Sequence, residues 1–171
     1  WSLYRSDQIN FFHNLSISSQ ITCLFKHHYS FPLESLKYLS PLIKTYPHLK
    51  IVSSINILTY ILSRFIVFSY DSTGVCEHIL GPVPILITNV PQTIHQNSLV
   101  SNIYARLVSC HILHYNSSSL IDFIVSQDFD LYAWWNDPQI LSLRIEFASI
   151  IGGNPNFASP WNLMCNRRPI D

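Results

Sequence analysis

The chain has 171 residues, of which 48% are hydrophobic and only 12% charged, and its 10 Lys and Arg offset its 10 Asp and Glu. That length is one domain's worth and can bury roughly 70% of the unfolded surface without staples. With no basic run beyond Arg167-Arg168 there is no electrostatic footprint for autonomous nucleic-acid binding, and so lean a charge leaves the surface clothed in polar neutral residues or docked on partners.

In chain order, residues 1–19 are polar and aromatic with no lasting period, which predicts an extended N-terminal arm. Residues 20–26 (QITCLFK) predict a short strand. Leu33, Leu36, Leu39, Leu42 and Ile43 fall near helical spacing after Pro32, predicting one short helix over 33–44 that ends before Pro47. Residues 47–71 read as two adjacent strands turning back on one another, the second apolar on both faces and therefore covered twice, the predicted heart of the fold. Gly74, Gly81, Pro82 and Pro84 make 72–84 a loop. Residues 85–90 predict a strand stopped by Pro91, and 98–100 a short edge strand. The segment 103–115 (IYARLVSCHILHY) fits helix or strand by pattern alone, and its β-branched and aromatic content favours strand. Strands follow at 120–125, at 128–132 by the alternation of Asp128 and Asp130 with Phe129 and Leu131, and at 141–147 (LSLRIEF), with Ser142, Arg144 and Glu146 on a polar face. About six to eight strands and one short helix predict an all-β sandwich or barrel. Its body spans 20–150, with an arm at 1–19 and an extended tail at 151–171.

Chemistry is sparse. There is no G-x-S-x-G elbow. His111 and His114, three apart, would diverge to opposite faces of a strand and could not share a metal. Asp128 and Asp130 would share one strand face, a poor cation site and more naturally a solvated one. Cys23, Cys76, Cys110 and Cys165 form no C-x-x-C pair and read as buried thiols of a reducing compartment. Asn14-Leu15-Ser16 and Asn116-Ser117-Ser118 match the glycosylation sequon, a pattern that polar stretches produce by accident. The apolar window 51–68 contains Asn56 and Arg64, too polar for a membrane span, and no signal peptide opens the chain. The first residue, Trp1, points to a trimmed or proteolytically released chain. The residues therefore predict no catalytic, cofactor-binding or metal site and no enzyme, and they assign interface roles to Trp134, Trp135 and Trp161 by exposure logic alone.

Two stretches carry a likeness to a known family. Residues 63–74 (SRFIVFSYDSTG) resemble the strand of picorna-like virus capsid proteins in which Gly-Arg-Leu and a hydrophobic run lead to a Tyr-x-Pro turn, with Ser63 in place of the glycine and Ser72 in place of the proline. Residues 116–138 (NSSSLIDFIVSQDFDLYAWWNDP) are similar to the last strand of the same jelly roll, where a Ser-rich turn precedes a β-run ending in Asp-Phe-x-Leu. The resemblance covers roughly 20–138 and in size is nearest to the small coat proteins of the plant-infecting secovirus group, cheraviruses in particular. It implies an eight-stranded antiparallel jelly roll cut from a polyprotein. The implied function is a structural coat protein of a small icosahedral positive-strand RNA virus, located in the virion and in the host cytoplasm during assembly. Its partners would be other capsid chains, with at most weak contact to viral RNA, no membrane and no cofactor. Two alternatives stand beside it. One is a secreted β-sandwich binding module, which requires disulfides; the other is an organelle-encoded subunit of a large complex, which requires amphipathic helices where strands are placed.

Overall fold

In a computed structural model, helices alternate with short strands, and among the described residues every strand pair is parallel. The structure describes residues 2–18, 22–26, 37, 40–41, 43–46, 48–52, 54–69, 73–88 and 98–151. The chain forms two compact units, Trp1–Leu62 and Ser63–Asp171. The division falls inside the 20–150 body expected from the sequence, and the 151–171 tail lies, after its first residue, outside the described residues.

In the first unit α1 (Ser2–Ser18) replaces the expected arm. Gln8, Phe12 and Leu15 are buried, a 4-then-3 spacing that makes one stripe on a helix. Phe12 meets Phe25 edge to face at 5.6 Å, and a small core gathers Phe12 and Leu49 with Phe11, Cys23, Tyr46 and Ile51. β1 (Cys23–Lys26) and β2 (Leu49–Val52) pair in parallel, Cys23 opposite Leu49. The described positions of 37–45 are helical, where the leucine spacing placed a helix. After β2 the chain does not continue as strand. Asn56 caps α2 (Ile57–Ile61), its Oδ1 accepting from the Thr59 N–H at 2.8 Å.

The second unit is a β-α-β-α-β run followed by helices. β3 (Ile66–Phe68), α3 (Thr73–His78), β4 (Ile85–Thr88), α4 (Ser98–Ser109) and β5 (Leu113–His114) come first, then α5 (Ser117–Ser126), α6 (Tyr132–Trp135) and α7 (Pro138–Ile151). The sheet order is β3-β4-β5. β4 lies in the middle and every residue of it is buried, because helices cover both faces of a parallel sheet and the strand can be apolar throughout. Ile85 and Ile87 share one core with Val75 of α3, Ile79 just after it, Ile103 and Leu107 of α4, and Leu143 and Phe147 of α7. Each such side chain contributes about 1.5–3 kcal/mol by leaving water. Alternation turns Leu86 and Thr88 to the other face. There α5, with Leu120 and Ile124 fully buried, packs on β4 and β5.

Backbone chemistry explains where these helices stop. α4 ends with His111 N–H bonded to Val108 O at 3.1 Å and Ile112 N–H to Leu107 O at 2.9 Å, with His111 at φ 62°. This is the paired closure in which a left-handed residue follows the last turn. α5 ends the same way, Asp128 N–H on Val125 O and Phe129 N–H on Ile124 O, with Asp128 at φ 50°. Asp tolerates that region better than most residues. Asp137 Oδ1 then accepts from Gln139 N–H at 2.8 Å and Ile140 N–H at 3.4 Å, capping α7, which begins at Pro138.

The all-β, eight-stranded antiparallel jelly roll is thus overturned. The stretch 47–71 is not a hairpin, since β2 pairs with β1 and β3 with β4, both in parallel, and parallel strands need a crossover between them. The loop expected at 72–84 contains α3, and the edge strand expected at 98–100 is the start of α4. Residues 103–115 are helix through Ser109 and strand only at Leu113–His114. The strands expected at 120–125, 128–132 and 141–147 are α5, a turn leading into α6, and α7. In α7 the buried residues are Ile140, Leu143, Arg144 and Phe147, a helical stripe that the local alternation of LSLRIEF conceals. The strands expected at 20–26 and 85–90 are present in part, as β1 and β4.

Candidate functional site

In open α/β sheets ligands bind at the carboxyl ends of the strands. Here that edge is formed by Thr88, the last residue of β4, and His114, the last residue of β5, which are paired in register. Only Tyr115 and Asn116 separate His114 from α5, so the first turn of that helix lies beside the same edge. Asn116 adopts an extended conformation, and its Oδ1 accepts from the Ser119 N–H at 2.9 Å. The first turn contains no acidic residue, so the positive end of the helix dipole meets no carboxylate of its own.

His114 is 2% exposed. Its Nε2 lies 2.9 Å from His111 O, and its Nδ1 lies 2.9 Å from Ser119 Oγ. A carbonyl only accepts, so Nε2 carries the hydrogen and the Nδ1 lone pair receives the Ser119 O–H. Burial pushes the imidazole down to about 4; the neighbouring His111 charge acts in the same direction, and the bond to the His111 carbonyl opposes both. His114 is therefore neutral at pH 7. Because the Ser119 proton is spent on His114, the oxygen of this exposed serine turns its lone pairs outward.

Thr88 is 5% exposed, and its Oγ1 has no hydrogen-bond partner among the described residues. Leaving a hydroxyl buried and unpaired costs about 1–3 kcal/mol, which valine would fill the same space without incurring.

An aromatic cluster flanks the pair. His111 stacks on Phe123 at 4.7 Å and 8°, and Phe123 meets Trp134 edge to face at 5.0 Å. The rings of His111 and His114 lie 6.1 Å apart. The sequence sent them to opposite faces, but His111 belongs to the left-handed turn before β5 rather than to the strand, and the turn brings the rings together. Among the described residues no group of three or more His, Cys, Asp or Glu could hold a metal ion. Asp128 and Asp130, expected on one strand face, sit in the turn after α5, where Asp130 Oδ1 accepts from the Tyr132 N–H at 3.0 Å.

Of the predicted interface residues, Trp134 is half-buried and donates its Nε1–H to Cys110 O at 3.2 Å. Trp135 is 0% exposed and has no surface to offer. Trp161 lies outside the described residues, as does Cys165. The described cysteines are half-buried thiols, and burial pushes Cys23 up to about 11, away from reactivity. No described helix is long and apolar enough to cross a membrane.

Sequence reasoning missed Ser119 and Thr88. An Asn followed by serines and then an apolar run is a helix-start signal, and it would have placed Ser119 on a first turn. Nothing in the sequence marks Thr88.

The carboxyl edge of such a parallel sheet is where ligands bind, and the class of protein comes from the comparison with protein families. A model of a transferase family matches residues 2–150. The chain belongs to that family, described as the LIC12162 family of transferases, which is bacterial. No curated protein and no solved structure matches the chain. The family membership and the parallel sheet overturn the likeness to picorna-like virus capsid proteins, the coat-protein function, the secreted sandwich alternative and the expectation of a chain without enzymatic function. Both quoted stretches imitate capsid strands only in composition: residues 63–74 run from β3 into α3, and residues 116–138 hold α5 and α6.

Proposed function

We propose that this chain is the catalytic or substrate-binding part of a transferase whose reacting groups meet at the carboxyl edge of β3-β4-β5. The observation that carries the reading is the Ser119–His114 hydrogen bond of 2.9 Å, with the other imidazole nitrogen committed to His111 O. A neutral imidazole held from both sides fixes the direction of the Ser119 hydroxyl. The serine oxygen then accepts from the hydroxyl or amine of an acceptor molecule and orients its lone pair toward the group to be transferred. With a pKa of about 4, His114 stores a proton poorly at neutral pH. Its role is orientation of Ser119, and it is a positioning residue.

The test is release of the leaving group from a panel of donors by the full chain, with water or a small alcohol as acceptor. The panel holds nucleoside-diphosphate sugars, coenzyme A thioesters and S-adenosylmethionine. Ser119→Ala should slow turnover of the active donor at least about tenfold, with His114→Asn acting in the same direction. Wild-type rates in both variants would remove the reading.

A further inference from the structure

We propose that the first turn of α5 together with Thr88 forms a phosphate subsite, so that the group donor handled here carries a phosphate or diphosphate. The inference uses the location of the site proposed above but not the chemistry of Ser119 and His114.

Three observations converge. Thr88 presents a hydroxyl that is 5% exposed and has no partner among the described residues, although valine would satisfy the packing. Its direction follows from the pleat. Ile85 and Ile87 enter the core shared with α3, α4 and α7, so Thr88 points to the opposite face. It does so in register with His114, whose ring on that face reaches Ser119 in the first turn of α5. The orphan hydroxyl and the helix start therefore share one face of one edge. α5 runs for 10 residues and has no acid in its first turn. A helix N-terminus offers N–H donors and the positive end of its dipole, and phosphate oxygens accept from both N–H and O–H groups. A phosphate bound there would give the Thr88 O–H the acceptor it lacks.

The site reads the phosphate rather than what is attached to it, and titration with two probes separates a single phosphate from a diphosphate. Inorganic phosphate and pyrophosphate are titrated into the full chain by calorimetry at fixed ionic strength, and tighter binding of pyrophosphate assigns a diphosphate. Thr88→Val should weaken the tighter probe by about tenfold or more while melting at or above the wild-type temperature, which shows that the fold is intact. Thr88→Ser, which keeps the hydroxyl, should bind within a few-fold of wild type. Pyrophosphate binding by Thr88→Val equal to wild type, or no binding of either probe to wild type at millimolar concentration, overturns the subsite. The Ser119 N–H is committed to Asn116 Oδ1 at 2.9 Å, so the phosphate subsite is judged on the Thr88 variants and the role of Ser119 on donor turnover. If Ser119→Ala turns over donor like wild type while Thr88→Val binds pyrophosphate weakly, the role given to Ser119 fails and the phosphate subsite stands. If Thr88→Val binds undiminished and Ser119→Ala is slow, the reverse holds.

Discussion

The guanidinium of Arg144 stands over the indole of Trp135, 3.7 Å from the ring centroid, and both side chains donate to one carbonyl, that of Gly81, at 2.8 and 3.0 Å. Arg144 also donates to Ile79 O at 2.7 Å and to Trp135 O at 2.9 Å. It is 3% exposed, and burial brings its pKa down to about 10, still charged at neutral pH. Three carbonyls and an aromatic face thus solvate a buried cation and tie the turn before β4 to α6 and α7.

Arg144→Ala should therefore cost about 3–5 kcal/mol, since it opens a cavity and strips partners from buried carbonyls. Lysine keeps the charge but not the fork that reaches several carbonyls, and should recover only part of the loss. Urea unfolding followed by circular dichroism measures both.

Stability should also fall on acidification because of His114. The unfolded chain takes up this proton near the ordinary value of 6.5 and the folded chain only near 4. Between those values the unfolded state holds more protons, so stability is full above about pH 6.5 and drains away as the pH drops toward 4. The loss attributable to this one group is on the order of 3 kcal/mol. Unfolding of wild type and His114→Asn at pH 7, 5.5 and 4 should show a steeper decline in wild type; parallel curves would contradict the assignment.

Asn116 starts the helix that carries Ser119. Asn116→Ala should lower stability by about 1 kcal/mol, whereas Asn116→Asp should preserve it, because either oxygen can accept from the Ser119 N–H. Thermal melts of the two variants decide this.

Arg106 on α4 and Glu146 on α7 form an ion pair at 2.6 Å, with side chains 45% and 41% exposed. Despite the short contact, solvent screening should hold the pair to less than about 1 kcal/mol in a double-mutant cycle, and less again in high salt.

Local features were legible wherever a short-range rule sufficed. Proline punctuation marked the β4 strand, leucine spacing marked the helical stretch within 33–44, and QITCLFK marked β1. Misreadings arose where a short window satisfies two periods at once. Leu141, Leu143, Ile145 and Phe147 alternate with polar residues as a strand would, yet Leu141 and Ile145 are exposed while Ile140 and Arg144 are buried. Widening the window to Ile140, Leu143 and Phe147 recovers the helical stripe. Asn116 and the serines after it looked like a turn because the same residues serve turns and helix caps.

By itself the sequence determined the punctuation of the chain and a balance of charge that leaves no basic patch to act through. Only the tertiary structure decided the strand direction, the burial of Arg144 and the meeting of Thr88, His114 and Ser119. Strand direction depends on which segments cross over between strands, a cation becomes tolerable inside only where carbonyls from distant turns converge on it, and a polar edge exists only once the sheet has set its register. Each of these is a relation between segments far apart in the chain, and no local pattern of side chains encodes it.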